Sequence, residues 1–258
     1  MSYETIIVEQ KDMVATITLN LPEKLNALDL VMREELKAAF WEIAKAADVK
    51  AVVVTGAGRA FCAGGDITTM QNVGSPAGRD RLKNVQQLVR AMVTLEKPIL
   101  AAVNGPAIGA GFNIALACDL ILASDKAKFS EAFAKIGLIP DMGGFYFLPL
   151  RIGVHRAKEL MMTGRMVDAQ EAASMGLINR LVPHEQLMET ALEMARDLAR
   201  GASRSHAMIK AALNRWPAGL EEILEIEANM QAVCFETRDF KEGMQAFLEK
   251  RPPKFTGE

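Results

Sequence analysis

Two short, unbroken apolar runs, each passing straight into a glycine-rich loop, constrain this chain more than any other feature. The first is residues 51–55 (AVVVT), followed by the loop from Gly56 to Asp66; the second is 98–103 (PILAAV), followed by Asn104 to Gly111. An apolar run of this length without polar alternation reads as a strand covered on both faces. Such strands belong to parallel or mixed sheets flanked by helices. Helical patterns over 79–95 and 109–117, and a third buried strand over 120–123, supply the rest. The fold class is therefore α/β.

Upstream, residues 5–9 (TIIVE) and 14–19 (VATITL) read as two strands joined by a polar turn at 10–12. Asp29 is placed to cap a helix reaching about residue 47, with Met32, Leu36, Phe40, Ile43 and Ala47 on one apolar stripe. After Asp141 the character changes. Helices are expected over 157–162, 169–175, 185–200, 203–215, 220–235 and 240–248, with 177–182 the one strand-like segment. No polar linker, repeat or low-complexity tract interrupts the chain. The expected division is a core over 1–195 and a helical extension over 196–258.

Net charge decides against two partner classes. At −2 over 258 residues there is no long-range attraction to nucleic acid or to an anionic membrane. No apolar run approaches the roughly 18–20 residues of a membrane span. The start of the chain (MSYETIIVEQ) lacks the basic and apolar regions of a targeting signal. Cys62, Cys118 and Cys234 are odd in number and show no CxxC spacing, so they are expected as reduced thiols in a cytoplasmic compartment. His155, His184 and His206 pair at no ligand spacing, and no metal is expected.

The two loops suggest the chemistry. Neither carries GxGxxG in register with a helix, nor GK[ST], so phosphate-loop readings fail. Two strand-to-helix loops can, however, present backbone N–H groups at the positive ends of helices. Small residues let a ligand carbonyl approach the main chain, and fixed N–H donors strengthen as charge builds on its oxygen. One such donor is worth about 3–4 kcal/mol in a transition state. The plainer alternative is that Gly64, Gly65, Gly109 and Gly111 only permit tight turns and close packing.

The stretch Arg59 to Ile67 (RAFCAGGDI), then Lys97 to Gly111 (KPILAAVNGPAIGAG), closely resembles the crotonase (enoyl-CoA hydratase/isomerase) superfamily. The likeness continues through Cys118-Asp119, IGLIP (136–140), Gly143-Gly144, LMMTG (160–164), AQEAA (169–173) and GLINRLV (176–182). It spans nearly the whole chain, from LNAL (25–28) to FLEKRP (247–252). The resemblance implies a spiral of ββα units with C-terminal helices that pack a trimer, often paired into a hexamer. It implies an acyl-CoA thioester as substrate, coenzyme A being part of that substrate, and no separate cofactor. By position the thioester carbonyl would lie between the N–H groups of Gly65 and Ala110, the second standing where glycine is usual. Lys24, Leu25, Ala63, Gly64, Gly65, Asp66, Ile67, Gly109 and Ala110 fall where acyl-CoA is bound, with Lys24 either the partner for a phosphate or a solvated loop cation. Asp66 is also expected to cap a helix starting at Ile67.

The sequence departs from the hydratase pattern at two points. The two glutamate positions of a typical hydratase are held here by Asn113 and Phe133. A phenyl ring moves no proton, and an amide is neither acid nor base at neutral pH. The chain supplies Asp141 instead, in IPDMGG (139–144), which resembles members that shift double bonds with an aspartate as proton shuttle. The expectation is thus an enoyl-CoA isomerase using Asp141, with a 2-enoyl-CoA hydratase as the alternative. A weakly catalytic acyl-CoA binder and nucleophilic chemistry at Asp141 are further readings. So is a plain helix cap at Asp141. Glu131, two residues before Phe133, is expected as a supporting or surface group, and Cys62 as a packed thiol.

Overall fold

A computed structural model describes residues 3–67, 75–216 and 218–258. The chain opens with an antiparallel pair, β1 (Ile6–Lys11) and β2 (Val14–Leu19). Helix α1 (Leu30–Lys45) follows, and Asp29 caps it, its carboxylate accepting from the Met32 N–H at 2.8 Å. Strand β3 (Ala51–Gly56) is buried throughout and pairs with β2 in parallel. Helix α2 (Ser75–Thr94) leads to β4 (Ile99–Val103), again wholly buried.

From here a unit repeats. A strand enters a large sheet, a short strand enters a small one, and a helix closes the turn. Strand β4 is followed by β5 (Pro106–Ile108) and α3 (Ala110–Ala117). Strand β6 (Leu120–Ser124) is followed by β7 (Lys128–Ser130), a 3-10 turn over Ala132–Ile136, and α4 (Gly144–Ile152). The β3 unit joins the same scheme through an isolated parallel bridge from Cys62 to Ala107 of β5. Helix α5 (Val154–Thr163), β8 (Val167–Asp168), α6 (Ala169–Ser174) and β9 (Arg180–Val182) complete the core. The large sheet runs β1-β2-β3-β4-β6-β9 and the small one β5-β7-β8. Successive turns of chain stack one strand on each sheet, which is the expected ββα spiral.

Burial explains the two layers. On β3, Val52 and Val54 point into the main core with Phe40, Leu88 and Phe112. Their neighbours Ala51 and Val53 point the other way, onto α7 (Leu187–Ala199). That helix presents Leu187, Ala191, Ala195 and Ala199, four residues apart, as one buried edge. Helix α7 therefore crosses residue 195, the expected core boundary, and stays on the sheet to its end.

Beyond it lie α8 (Ser203–Leu213), α9 (Leu220–Glu236) and α10 (Arg238–Leu248). Lys210 docks α8, pairing with Asp119 at 2.9 Å and donating to the carbonyls of Met92 and Lys97. Among the described residues no helix is long and apolar enough to cross a membrane.

Candidate active site

The first glycine loop is pinned on both flanks. Leu28 donates to the Gly64 carbonyl at 2.7 Å and accepts from Asp66 N–H at 3.2 Å. In this parallel bridge Leu28 uses the groups on either side of Gly65, so the N–H of Gly65 faces away from it. The second loop is held by Ile108 N–H on the Cys62 carbonyl and Gly109 N–H on the Ser130 carbonyl, at 2.9 and 2.8 Å. Ala110 is the first residue of α3, where an N–H has no acceptor within its own helix. Among the described residues neither the Gly65 nor the Ala110 N–H has a backbone acceptor.

The loops lie against each other. Gly64 has φ +102°, and a Cβ there would stand 2.8 Å from the Ile108 carbonyl oxygen and 3.8 Å from the Ala110 nitrogen. Ala110 has no positive φ, so a side chain is tolerated where glycine is usual. Cys62 is fully buried and burial pushes its thiol up to about 12, the behaviour of a packed group and not of a nucleophile.

Lys24 is exposed at the end of a 3-10 turn over Pro22–Lys24. Leu25 follows it in the left-handed region at φ 52°, and its carbonyl accepts from Ala63 N–H at 2.9 Å. Ala63, Gly65 and Asp66 are half-buried, Gly64 and Gly109 buried, and Ile67 is 61% exposed. The helix expected to start at Ile67 runs into residues outside those described.

The third turn of the spiral brings the ionisable groups. Asn113 on α3 is fully buried, and its Nδ2 donates to the Asp141 carbonyl at 3.0 Å. Phe133 is buried, its ring 3.4 Å from where a Cβ on Gly109 would stand. Asp141 does not cap a helix: α4 starts at Gly144 with Gly143 at its N-cap, and the buried Asp141 Oδ1 has no hydrogen-bond partner. Burial raises the Asp141 carboxyl to about 6, and the Arg33 guanidinium and, more weakly, Arg81 pull against that rise.

Of the two places expected for Glu131, supporting or at the surface, the surface is excluded: it is fully buried, and both its carboxylate oxygens lack a hydrogen-bond partner. Burial, with Asp141 adding to it, raises its carboxyl to about 8 despite the neighbouring Asn113 amide. Glu131 is the N-cap position of the 3-10 turn that carries Phe133. Arg33 was not singled out at all. It is 5% exposed on α1, donates to the Leu28 carbonyl at 3.1 Å, and burial lowers its pKa. Its sequence signal is slight: a cation beside the apolar stripe of α1. The three histidines lie away from these groups, and His184 contacts Ser124 at 2.9 Å.

Comparison with known proteins identifies the family. A family model for enoyl-CoA hydratase/isomerase matches residues 9–258. The chain is 42% identical over 261 residues, covering 100% of both, to a probable enoyl-CoA hydratase of Rhodobacter capsulatus. It is 38% identical over 249 residues, 95% of each chain, to the 1,2-epoxyphenylacetyl-CoA isomerase of Escherichia coli. A solved enoyl-CoA hydratase from Bacillus anthracis superposes with a TM-score of 0.94 at 35% identity, covering 99% of this chain and 100% of that one.

Proposed function

The chain belongs to the enoyl-CoA hydratase/isomerase family, and within it we propose an enoyl-CoA isomerase that moves a double bond with Asp141 as proton shuttle. The observation that carries this reading is the Asp141 carboxyl. It is desolvated, raised to about 6, and has one oxygen without a partner. The resemblance adds that Asn113 and Phe133 stand where a hydratase would carry its two glutamates. A carboxylate with a pKa just below neutral is ionised yet basic enough to take a carbon-bound proton.

In this mechanism the thioester carbonyl of a 3-enoyl-CoA accepts from the Gly65 and Ala110 N–H groups. Asp141 removes a proton from C2, and the electron pair spreads over the thioester oxygen and C4. The same carboxyl then returns the proton to C4, giving the 2-enoyl product. Atoms balance without water, metal or redox partner. Phe133 keeps the pocket apolar, and Arg33 keeps Asp141 ionised between turnovers. Lys24, Leu25, Ala63, Gly64, Asp66, Ile67 and Gly109 would line the path of the coenzyme A arm.

Hydration of a 2-enoyl-CoA is the second reading, favoured by the hydratase names of most similar proteins, including a crotonyl-CoA hydratase at 35% identity. A single pair of assays separates the two. Isomerisation of a 3-enoyl-CoA should fall at least about a hundredfold in Asp141→Asn while substrate binding persists. Rapid water addition to crotonyl-CoA, undiminished in that variant, would instead establish the hydratase. We also propose self-association through the C-terminal helices, supported by the apolar side chains that α9 and α10 leave exposed.

A further inference from the structure

We infer that Glu131 is a positioning residue of this site that works as the neutral acid, pairing with the side-chain amide of Asn113 so that Asn113 holds the Asp141 peptide in place. The inference rests on the proposed role of Asp141 for its consequence in catalysis, but not for the pairing itself.

The argument is one of hydrogen-bond satisfaction. Asn113 Nδ2 already donates one proton to the Asp141 carbonyl, which fixes that end of the amide as nitrogen. Its Oδ1 is buried and has no donor. Glu131 lies beside this amide, is 0% exposed, and brings two more buried oxygens without partners. Buried acceptors left without donors are costly, at about 1–3 kcal/mol each. An ionised carboxylate is acceptor-only, so it can take the second Nδ2 proton and still leave Asn113 Oδ1 unmet.

One proton changes the account. A carboxylic acid and a primary amide form a cyclic pair, in which the acid O–H donates to Oδ1 and the amide N–H donates to the acid carbonyl. Protonated Glu131 thus satisfies Asn113 Oδ1 and both of its own oxygens together. The local charges agree. Asp141, on the loop before α4, disfavours a second negative charge on Glu131. Arg33 and Arg81 favour the charged form of Asp141. No solvent-exposed surface remains on Glu131 through which substrate could reach it, so its effect passes through Asn113.

The test uses the full-length protein in two measurements. In infrared difference titrations of the unliganded enzyme, a carboxylic-acid C=O band should be present at pH 7 and titrate near 8, as burial predicts for this carboxyl. It should vanish in Glu131→Gln and titrate at lower pH in Asp141→Asn, where the neighbouring charge is gone. Absence of the band at pH 7 in the wild type overturns the inference, whatever reaction Asp141 performs.

The second measurement is the pH profile of turnover. Wild type should lose activity above pH 8, whereas Glu131→Gln, which offers Asn113 the same donor and acceptor at every pH, should keep activity and lose that alkaline limb. Glu131→Leu offers neither, and its kcat should fall about tenfold with KM little changed, the size of one lost buried hydrogen bond. A Glu131→Leu enzyme as active as wild type, or an alkaline limb that persists in Glu131→Gln, would refute the role. Asp141→Asn with full activity would overturn the isomerase mechanism and leave the infrared result standing.

Discussion

Arg33 and Asp141 each favour the other's charged form, while burial shifts each against it. Removing the cation should let desolvation act on Asp141 unopposed. In Arg33→Met the acidic limb of the kcat/KM profile should therefore move up by about one unit from its wild-type position near 6. Arg33→Lys should keep it in place. A profile unmoved in Arg33→Met would show that the guanidinium does not set this carboxyl. The same shift has a consequence for stability. A carboxyl whose folded pKa lies above its unfolded value favours the fold at low pH, and that contribution is lost as pH rises through about 6. Asp141→Asn should consequently gain stability over wild type above pH 6, on the order of 1–3 kcal/mol, and show little difference at pH 4. Urea titrations at the two pH values would read it, and equal stabilities at pH 8 would contradict it. Gly65, Ala110 and Asp141 could be singled out from the sequence only through the family resemblance, since a glycine loop or a Pro-Asp turn by itself reads equally well as a tight turn or a helix cap. Arg33 and Glu131 were not legible, because a charged residue on a helix or beside a strand looks solvated until tertiary packing closes over it.

The loops themselves work by close approach between successive turns of the spiral. Gly64 combines a close approach with a left-handed backbone, since its φ is +102° and a Cβ would stand 2.8 Å from the Ile108 carbonyl oxygen. Gly64→Ala must strain its own backbone by about 1–3 kcal/mol and push the two loops apart. The two N–H donors would then no longer converge, and loss of one such donor typically lowers kcat by about 10²–10³. We expect at least a tenfold fall in kcat with a folded protein by circular dichroism; unchanged kcat would mean the loop spacing is irrelevant to catalysis. At this scale β3 and β4 were readable because five or six apolar residues buried on both faces admit few other structures. The short strands β5, β7 and β8 were not. They have three, three and two residues, and β5 begins with a proline. Only pairing with strands distant in sequence makes them strands at all, so no local pattern announces them.

Whole-molecule organisation turns on the contrast between α7 and α9. Helix α7 buries an edge of four residues on the sheet, whereas α9, with 17 residues, has none buried. Leu220, Leu224, Val233 and Phe235 on α9 and Met244, Phe247 and Leu248 on α10 are exposed, Phe247 to 83%. A cavity of about 920 Å³ between these helices and α8 is walled mostly by such side chains, Leu224, Met230 and Met244 among them. Soluble monomers seldom expose contiguous apolar patches beyond a few hundred Å². Hydrophobic association with further copies is the state in which this surface loses its contact with water. If the proposed self-association follows the trimer or hexamer that the resemblance implies, light scattering should return a mass of three or six copies of the 28.1 kDa chain. Leu224→Glu tests the surface directly. Its side chain is 47% exposed, so a charge there costs the isolated fold little, yet it would be desolvated in an assembled interface. The variant should elute as a monomer with its far-ultraviolet spectrum unchanged. A wild-type protein that is monodisperse at one chain, or a variant that keeps the wild-type mass, would mean that these helices are covered by something other than another copy.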